Sequence, residues 1–132
     1  MTSLLPHSRK PDVSFYPDGR IDITARIAKE LNLQQGDVID VLTQGWKFLL
    51  YVRLRGTETT GRHEAQVYRT KQNSNNFRAY SRTITDVILE DCSSWSRNHS
   101  MRVESAARLP AGKTVNLENY GKAVPISTHN PI

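Results

Sequence analysis

The chain predicts an α+β fold rich in β-structure, and three observations carry that reading. Short runs of alternating apolar and polar residues recur along most of its length. Only one segment, Ala25 to Asn32, has clear helical spacing, with Ile27 and Leu31 four apart on one face. Glycine-bearing turn clusters punctuate the alternating runs at Pro17-Asp18-Gly19, Gln35-Gly36-Asp37 and Thr43-Gln44-Gly45.

Taken in order, Met1 to residue 12 reads as a flexible lead-in broken by Pro6 and Pro11. Val13 to Tyr16 is a predicted strand with Val13 and Phe15 on one face, and Arg20 to Ile23 is its continuation past the turn. Thr24 is placed to cap the short helix that follows, whose Arg26, Lys29 and Glu30 point outward. Val38 to Leu42 and Lys47 to Leu54 are further strands, the latter with Phe48, Leu50, Val52 and Leu54 on one face. Arg55 to Arg62 has no apolar residue and two glycines, so it marks the best boundary. Beyond it, Glu64 to Lys71 and Phe77 to Ile84 read as strands joined by an Asn-rich turn. Asp86 to Cys92 suits a helix or a strand equally, and Ser93 to Ser100 reads as loop. Strands are expected at Met101 to Leu109 and Thr114 to Leu117. The resulting division is 1–12, a unit over 13–55, a mostly β extension over 62–126, and a loose tail over 127–132. One faint internal echo aligns Leu33–Val41 with Leu109–Leu117 without gaps and sets Gly45 opposite Gly121.

Composition narrows the class. The 132 residues are 37% hydrophobic and 23% charged, enough for a modest core. Eighteen Lys and Arg against thirteen Asp and Glu give +5 and a pI near 9.6, which favours a polyanionic partner. Cys92 is the single cysteine, so no intrachain disulfide forms. No apolar run reaches the ~18 residues of a membrane span. A cytoplasmic protein with no membrane partner is the expectation.

The run Gly19-Arg20-Ile21-Asp22-Ile23-Thr24-Ala25-Arg26-Ile27-Ala28-Lys29-Glu30-Leu31-Asn32-Leu33-Gln34-Gln35-Gly36-Asp37-Val38-Ile39-Asp40-Val41 resembles the AbrB/MazE/SpoVT swapped-hairpin family. The likeness runs ungapped to Leu50 and covers about a third of the chain. It departs at Thr24, where the family usually has Pro, and at Asn32, where it often has Gly. The resemblance implies a homodimer with interleaved hairpins that binds double-stranded DNA, as a transcriptional regulator. Phe15, Ile21, Ile23, Ile27, Leu31, Val38 and Val41 are more apolar surface than forty residues bury alone, which agrees with a dimer. Arg20 stands at the family's Gly-Arg position on the DNA-facing side. Lys29 stands where a second Arg is common, with Ala28 replacing its neighbour and Arg26 as a substitute.

The second half adds its own basic run. Residues 62–82 hold Arg62, Arg69, Lys71, Arg78 and Arg82 against Glu64, interleaved with Tyr68, Phe77 and Tyr80. On a strand from Phe77, Arg78, Tyr80 and Arg82 project from one face. Such a face suits a nucleic-acid backbone or stacked bases, and basic-aromatic alternation is also common on an ordinary solvated sheet face with Tyr packing across it. The candidate DNA contacts are therefore Arg20, Arg26, Lys29, Arg78, Tyr80 and Arg82.

Catalysis finds no support. His7, His63, His99 and His129 are scattered without metal-ligand spacing, and no nucleophile motif frames Cys92. Gly112-Lys113-Thr114 lacks the first glycine of a phosphate loop, since position 107 is Ala. No enzyme and no cofactor is expected. Two rival readings stay open: an antitoxin-like protein gripping a protein partner through residues 62–126, and an assembly domain that binds no DNA.

Overall fold

The computed structural model describes residues 11–45, 47–56, 60–98 and 106–129. Most of the expected lead-in, Trp46, residues 57–59 of the boundary, the start of the strand expected from Met101, and 130–132 of the tail lie outside the described residues. Among the described residues, nine strands and two helices follow in the order β1 (Val13–Phe15), β2 (Arg20–Ile23), α1 (Ala25–Glu30), β3 (Val38–Gln44), β4 (Lys47–Leu54), β5 (Tyr68–Arg69), β6 (Phe77–Tyr80), α2 (Arg82–Asn98), β7 (Ala107–Leu109), β8 (Val115–Leu117) and β9 (Gly121–Ile126). The fold is α+β and rich in β-structure: a five-stranded sheet ordered β5-β6-β2-β1-β7 and a four-stranded sheet ordered β3-β4-β9-β8. Every ladder is antiparallel.

Both sheets draw strands from both halves of the chain. Pairing of β2 with β6 sets the β1–β2 hairpin beside β5–β6, and pairing of β4 with β9 sets β3–β4 beside β8–β9. Hairpin, helix, hairpin thus occurs twice, with β7 added to the edge of the first sheet. The internal echo of Leu33–Val41 and Leu109–Leu117 falls on this repetition, since β3 and β8 are the two outer strands of the second sheet. The hairpins differ in their loops: Gln44 pairs with Lys47, whereas Leu117 pairs with Gly121, one residue farther on.

The interleaving follows from burial. Phe15, Ile21, Ile23, Ile27 and Leu31 from the first half are at most 1% exposed. They share one core with Val67, Phe77, Ala79, Ile88, Cys92, Leu109, Val124 and Ile126 from the second. Each large apolar side chain so covered contributes about 1.5–3 kcal/mol. The cover that the sequence seemed to need from a second copy is therefore supplied within one chain.

Several local expectations change. Phe77 to Ile84 is not one strand: β6 ends at Tyr80, and Ser81 caps α2 by accepting the Ile84 N–H on its hydroxyl at 3.1 Å. Asp86 to Cys92 is helical, and the loop expected from Ser93 is helix as far as Asn98. The second half, expected to be mostly β, holds the longer helix. The strand expected over Glu64 to Lys71 shrinks to Tyr68–Arg69. Thr24 stands at the N-cap of α1, but its hydroxyl donates to the Asp12 carbonyl at 3.1 Å. The Ala25 N–H is satisfied instead by the Asn76 side chain at 2.8 Å. The tail is fastened rather than loose at Thr128, which is buried and bonded to Asp91, and at His129, which stacks on Trp95.

Two buried carboxylates hold the ends of the α1 region. Asp12 accepts Arg26 Nη2 at 2.7 Å and the Ala111 N–H at 2.7 Å. Asp37, fully buried, accepts the N–H groups of Gln34 (2.8 Å) and Gly56 (2.7 Å) and Arg55 Nη1 at 3.1 Å. Asn32 between them takes the left-handed conformation at φ 50°, which Asn tolerates.

Candidate nucleic-acid interface

Alternation sends Ile21, Ile23, Phe77 and Ala79 into the core, so Arg20, Asp22, Arg78 and Tyr80 stand on the outer face of the five-stranded sheet. The strand register then aligns them in rows. One row crosses the whole sheet as Tyr68, Arg78, Asp22, Ser14 and Arg108. A second runs from Tyr80 to Arg20, with Tyr16 beyond it, its N–H bonded to the Arg20 carbonyl at 2.9 Å. Arg20, Arg78 and Arg108 against Asp22 leave this face with a net +2 (three minus one).

Asp22 is the pivot. Arg78 Nε reaches one of its carboxylate oxygens at 2.7 Å, and Arg20 Nε approaches the other at 3.5 Å. The longer contact leaves Arg20 Nε buried without a hydrogen-bond acceptor among the described residues. The Arg20 guanidinium lies over the Tyr16 ring, 3.8 Å from its centroid. A hydrogen bond with Tyr16, then the charge of Asp22, holds its pKa above the ordinary 12.5. The hydrogen bond to Asp22 does the same for Arg78. Both guanidiniums therefore stay charged, and each is about a third exposed. Both ion pairs are made through Nε, and a guanidinium carries four further N–H donors on its terminal nitrogens.

The six residues singled out from the sequence divide between places. Arg20, Arg78 and Tyr80 meet on the outer face, as their alternation implied. Arg82 leaves it: expected on the same strand face, it is the first residue of α2, at the rim, packed so closely on Gly19 that a Cβ there would lie 2.9 Å from its Cγ. Gly19 tolerates this with φ +98°, and its carbonyl accepts the Ser81 N–H, pinning the β1–β2 turn to the start of α2. Arg26 is committed to Asp12. With Lys29, it lines a separate depression of about 450 Å³ that also takes in Asn32, Arg69 and Asn75. Arg69 pairs with Phe77, so it points to the opposite side of the sheet from Tyr68 and Arg78.

The sequence reading missed the parts that only register reveals. Locally Asp22 is one more polar strand residue, and no local signal marks Arg108. Both join the face because β2 and β7 flank β1. A depression of about 640 Å³ opens beside it, lined by Gln35, Gly36, Arg62, His63, Gln66, Val67, Tyr68 and Tyr80. Among the described residues no group of three or more His, Cys, Asp or Glu is arranged to hold a metal ion. Likewise, none of their helices is long and apolar enough to cross a membrane. Comparison with protein-family models, curated proteins and solved structures returned no match.

Proposed function

We propose that this protein binds double-stranded DNA through the outer face of its five-stranded sheet, as a regulator of transcription. The observation that carries the reading is that Arg20 and Arg78 stand on neighbouring strands as diagonal neighbours about one aspartate, Asp22, with Arg108 in the Arg78 row. Arginines fixed by sheet register hold their donors at set spacing, as the regular phosphates of a duplex require. The resemblance of residues 13–55 to AbrB-like swapped hairpins supports the same reading, with Arg20 at its Gly-Arg position. One chain presents both arginines, so this pair of contacts needs no residue from a second copy. Arg26 and Lys29 stand outside this footprint.

Titration of a labelled duplex at several salt concentrations tests it. Each phosphate neutralised contributes about 0.9 to the slope of log affinity against log salt, so Arg20→Ala with Arg78→Ala should flatten it by roughly 1.8. The loss should be similar for unrelated duplex sequences, because phosphate contacts carry no sequence information. Lys29→Ala should leave the slope alone. An unchanged slope in the double variant would remove the sheet face from the DNA.

A further inference from the structure

Tyr68 and Tyr80 are diagonal neighbours on the outer sheet face, at Tyr68↔Arg78 and Tyr80↔Arg20, and are 40% and 48% exposed. They lie toward the β5 edge of the cationic face, each beside an arginine on the next strand. Both form one wall of the depression of about 640 Å³, within the roughly 300–1,000 Å³ span of small-molecule sites. Gln66, also in the lining, is tied to two of its neighbours there: its Nε2 donates to the Gly36 carbonyl at 3.1 Å, and its Oε1 accepts the His63 N–H at 3.4 Å. Val67, also lining it, is 1% exposed. Arg62 lines the depression, and Arg78 and Arg20 stand one strand away from the two tyrosines, each at a paired position. Aromatic faces accept any base, and cations beside them hold the adjoining phosphates.

We infer that this depression takes an unpaired base, stacked on Tyr68 and Tyr80, from a strand whose phosphates lie on Arg20 and Arg78. The inference rests on the proposed DNA contact and adds a preference for duplexes with an extrahelical base. A base already unpaired enters without the cost of breaking a pair and a stack.

The test compares, by fluorescence anisotropy, a duplex with the same duplex carrying one extrahelical thymine. The native protein should bind the bulged duplex about tenfold more tightly, the order expected for one stacked base. Tyr68→Leu with Tyr80→Leu should abolish that preference, so that the variant binds the two duplexes equally. Arg20→Ala with Arg78→Ala should weaken both duplexes alike. Permanganate oxidation supplies a readout that needs no variant: the extrahelical thymine should be protected in the native complex. Equal affinity for the two duplexes, a preference that survives the tyrosine changes, or a thymine left reactive would each overturn the inference while leaving the DNA contact standing. Failure to bind either duplex would overturn both.

Discussion

The two hairpin–helix–hairpin halves secure their helices by different means. The first uses six residues of α1, burying only Ile27 and Ala28. It compensates with polar bonds, all but one of them long-range: Asp12 to Arg26 and Ala111, Asn76 to Ala25, Asp37 to Gly56 and Arg55, and the local bond of Asp37 to Gln34. The second uses seventeen residues of α2 and lays Thr85, Ile88 and Cys92 into the core against β1, β2 and β7. Where a helix is too short to bury a stripe, buried carboxylates take over the work of positioning it. Because Ala111 and Asn76 belong to the second half, the clamps also tie the halves together.

The severest way to break this comparison is to separate the halves. A chain ending at residue 61 loses the cover over Phe15, Ile21 and Ile23, and should be unfolded or self-associated at low micromolar concentration. Circular dichroism and light scattering check this, and a folded monomer would show that the first half is self-sufficient. Next in size is Asp37→Ala, which strands the N–H groups of Gln34 and Gly56. It should cost about 3 kcal/mol, at 1–3 for each buried donor left unsatisfied. Urea unfolding checks it, and a change below 1 kcal/mol would mean that water replaces the clamp.

The second half has a different sensitivity. Burial, with a smaller contribution from Asp91, pushes the Cys92 thiol from 9.0 up to about 12. The folded chain keeps a proton that the unfolded chain sheds, so stability should fall as pH rises above 9.0 toward that value. Cys92→Ala should lack this part of the alkaline decline, and an identical pH profile would contradict the burial of the thiol. The smallest effect belongs to the cap of α2: Ser81→Ala should cost about 1 kcal/mol. Hydrogen bonds from Ser81 and then Thr83 lower the Glu64 pKa below its ordinary 4.5. Glu64 therefore adds stability that is present above 4.5 and is lost as pH falls through the lowered value. The Ser81 variant should show less of that acid-side loss in a melting series.

The same contrast explains what the sequence made legible. Glycine turns and clean alternation announce β1 to β4 and α1, and Gly19, Gly36 and Gly45 all adopt positive φ. The stripe of α2 is disguised: Ser81, Thr85, Ile88, Cys92 and Trp95 follow helical spacing, but two of the five are hydroxyl residues. Thr85 is tolerated in the core because its hydroxyl donates to the Ser81 carbonyl at 2.9 Å. β9 is hidden by Pro125, which argues against a central strand. It fits because β8 pairs only as far as Ala123, and beyond it Pro125 is used through its carbonyl, which accepts the Gly112 N–H at 2.8 Å. At the candidate site, alternation gave the outward direction of Arg20, Arg78 and Tyr80. Their adjacency depends on β2 pairing with β6, a register that local sequence does not encode.

That distant pairing also governs how the molecule is made. β1 lies between β2 and β7, with Val13 opposite Leu109, so the first strand of the first sheet cannot complete its ladders until nearly the whole chain has been synthesised. Until then Phe15, Ile21 and Ile23 lack the side chains that cover them. Topologies dominated by such remote partners fold in roughly milliseconds to seconds rather than microseconds. Apolar surface left open in this way before its partners arrive is the kind that promotes aggregation of partly folded chains.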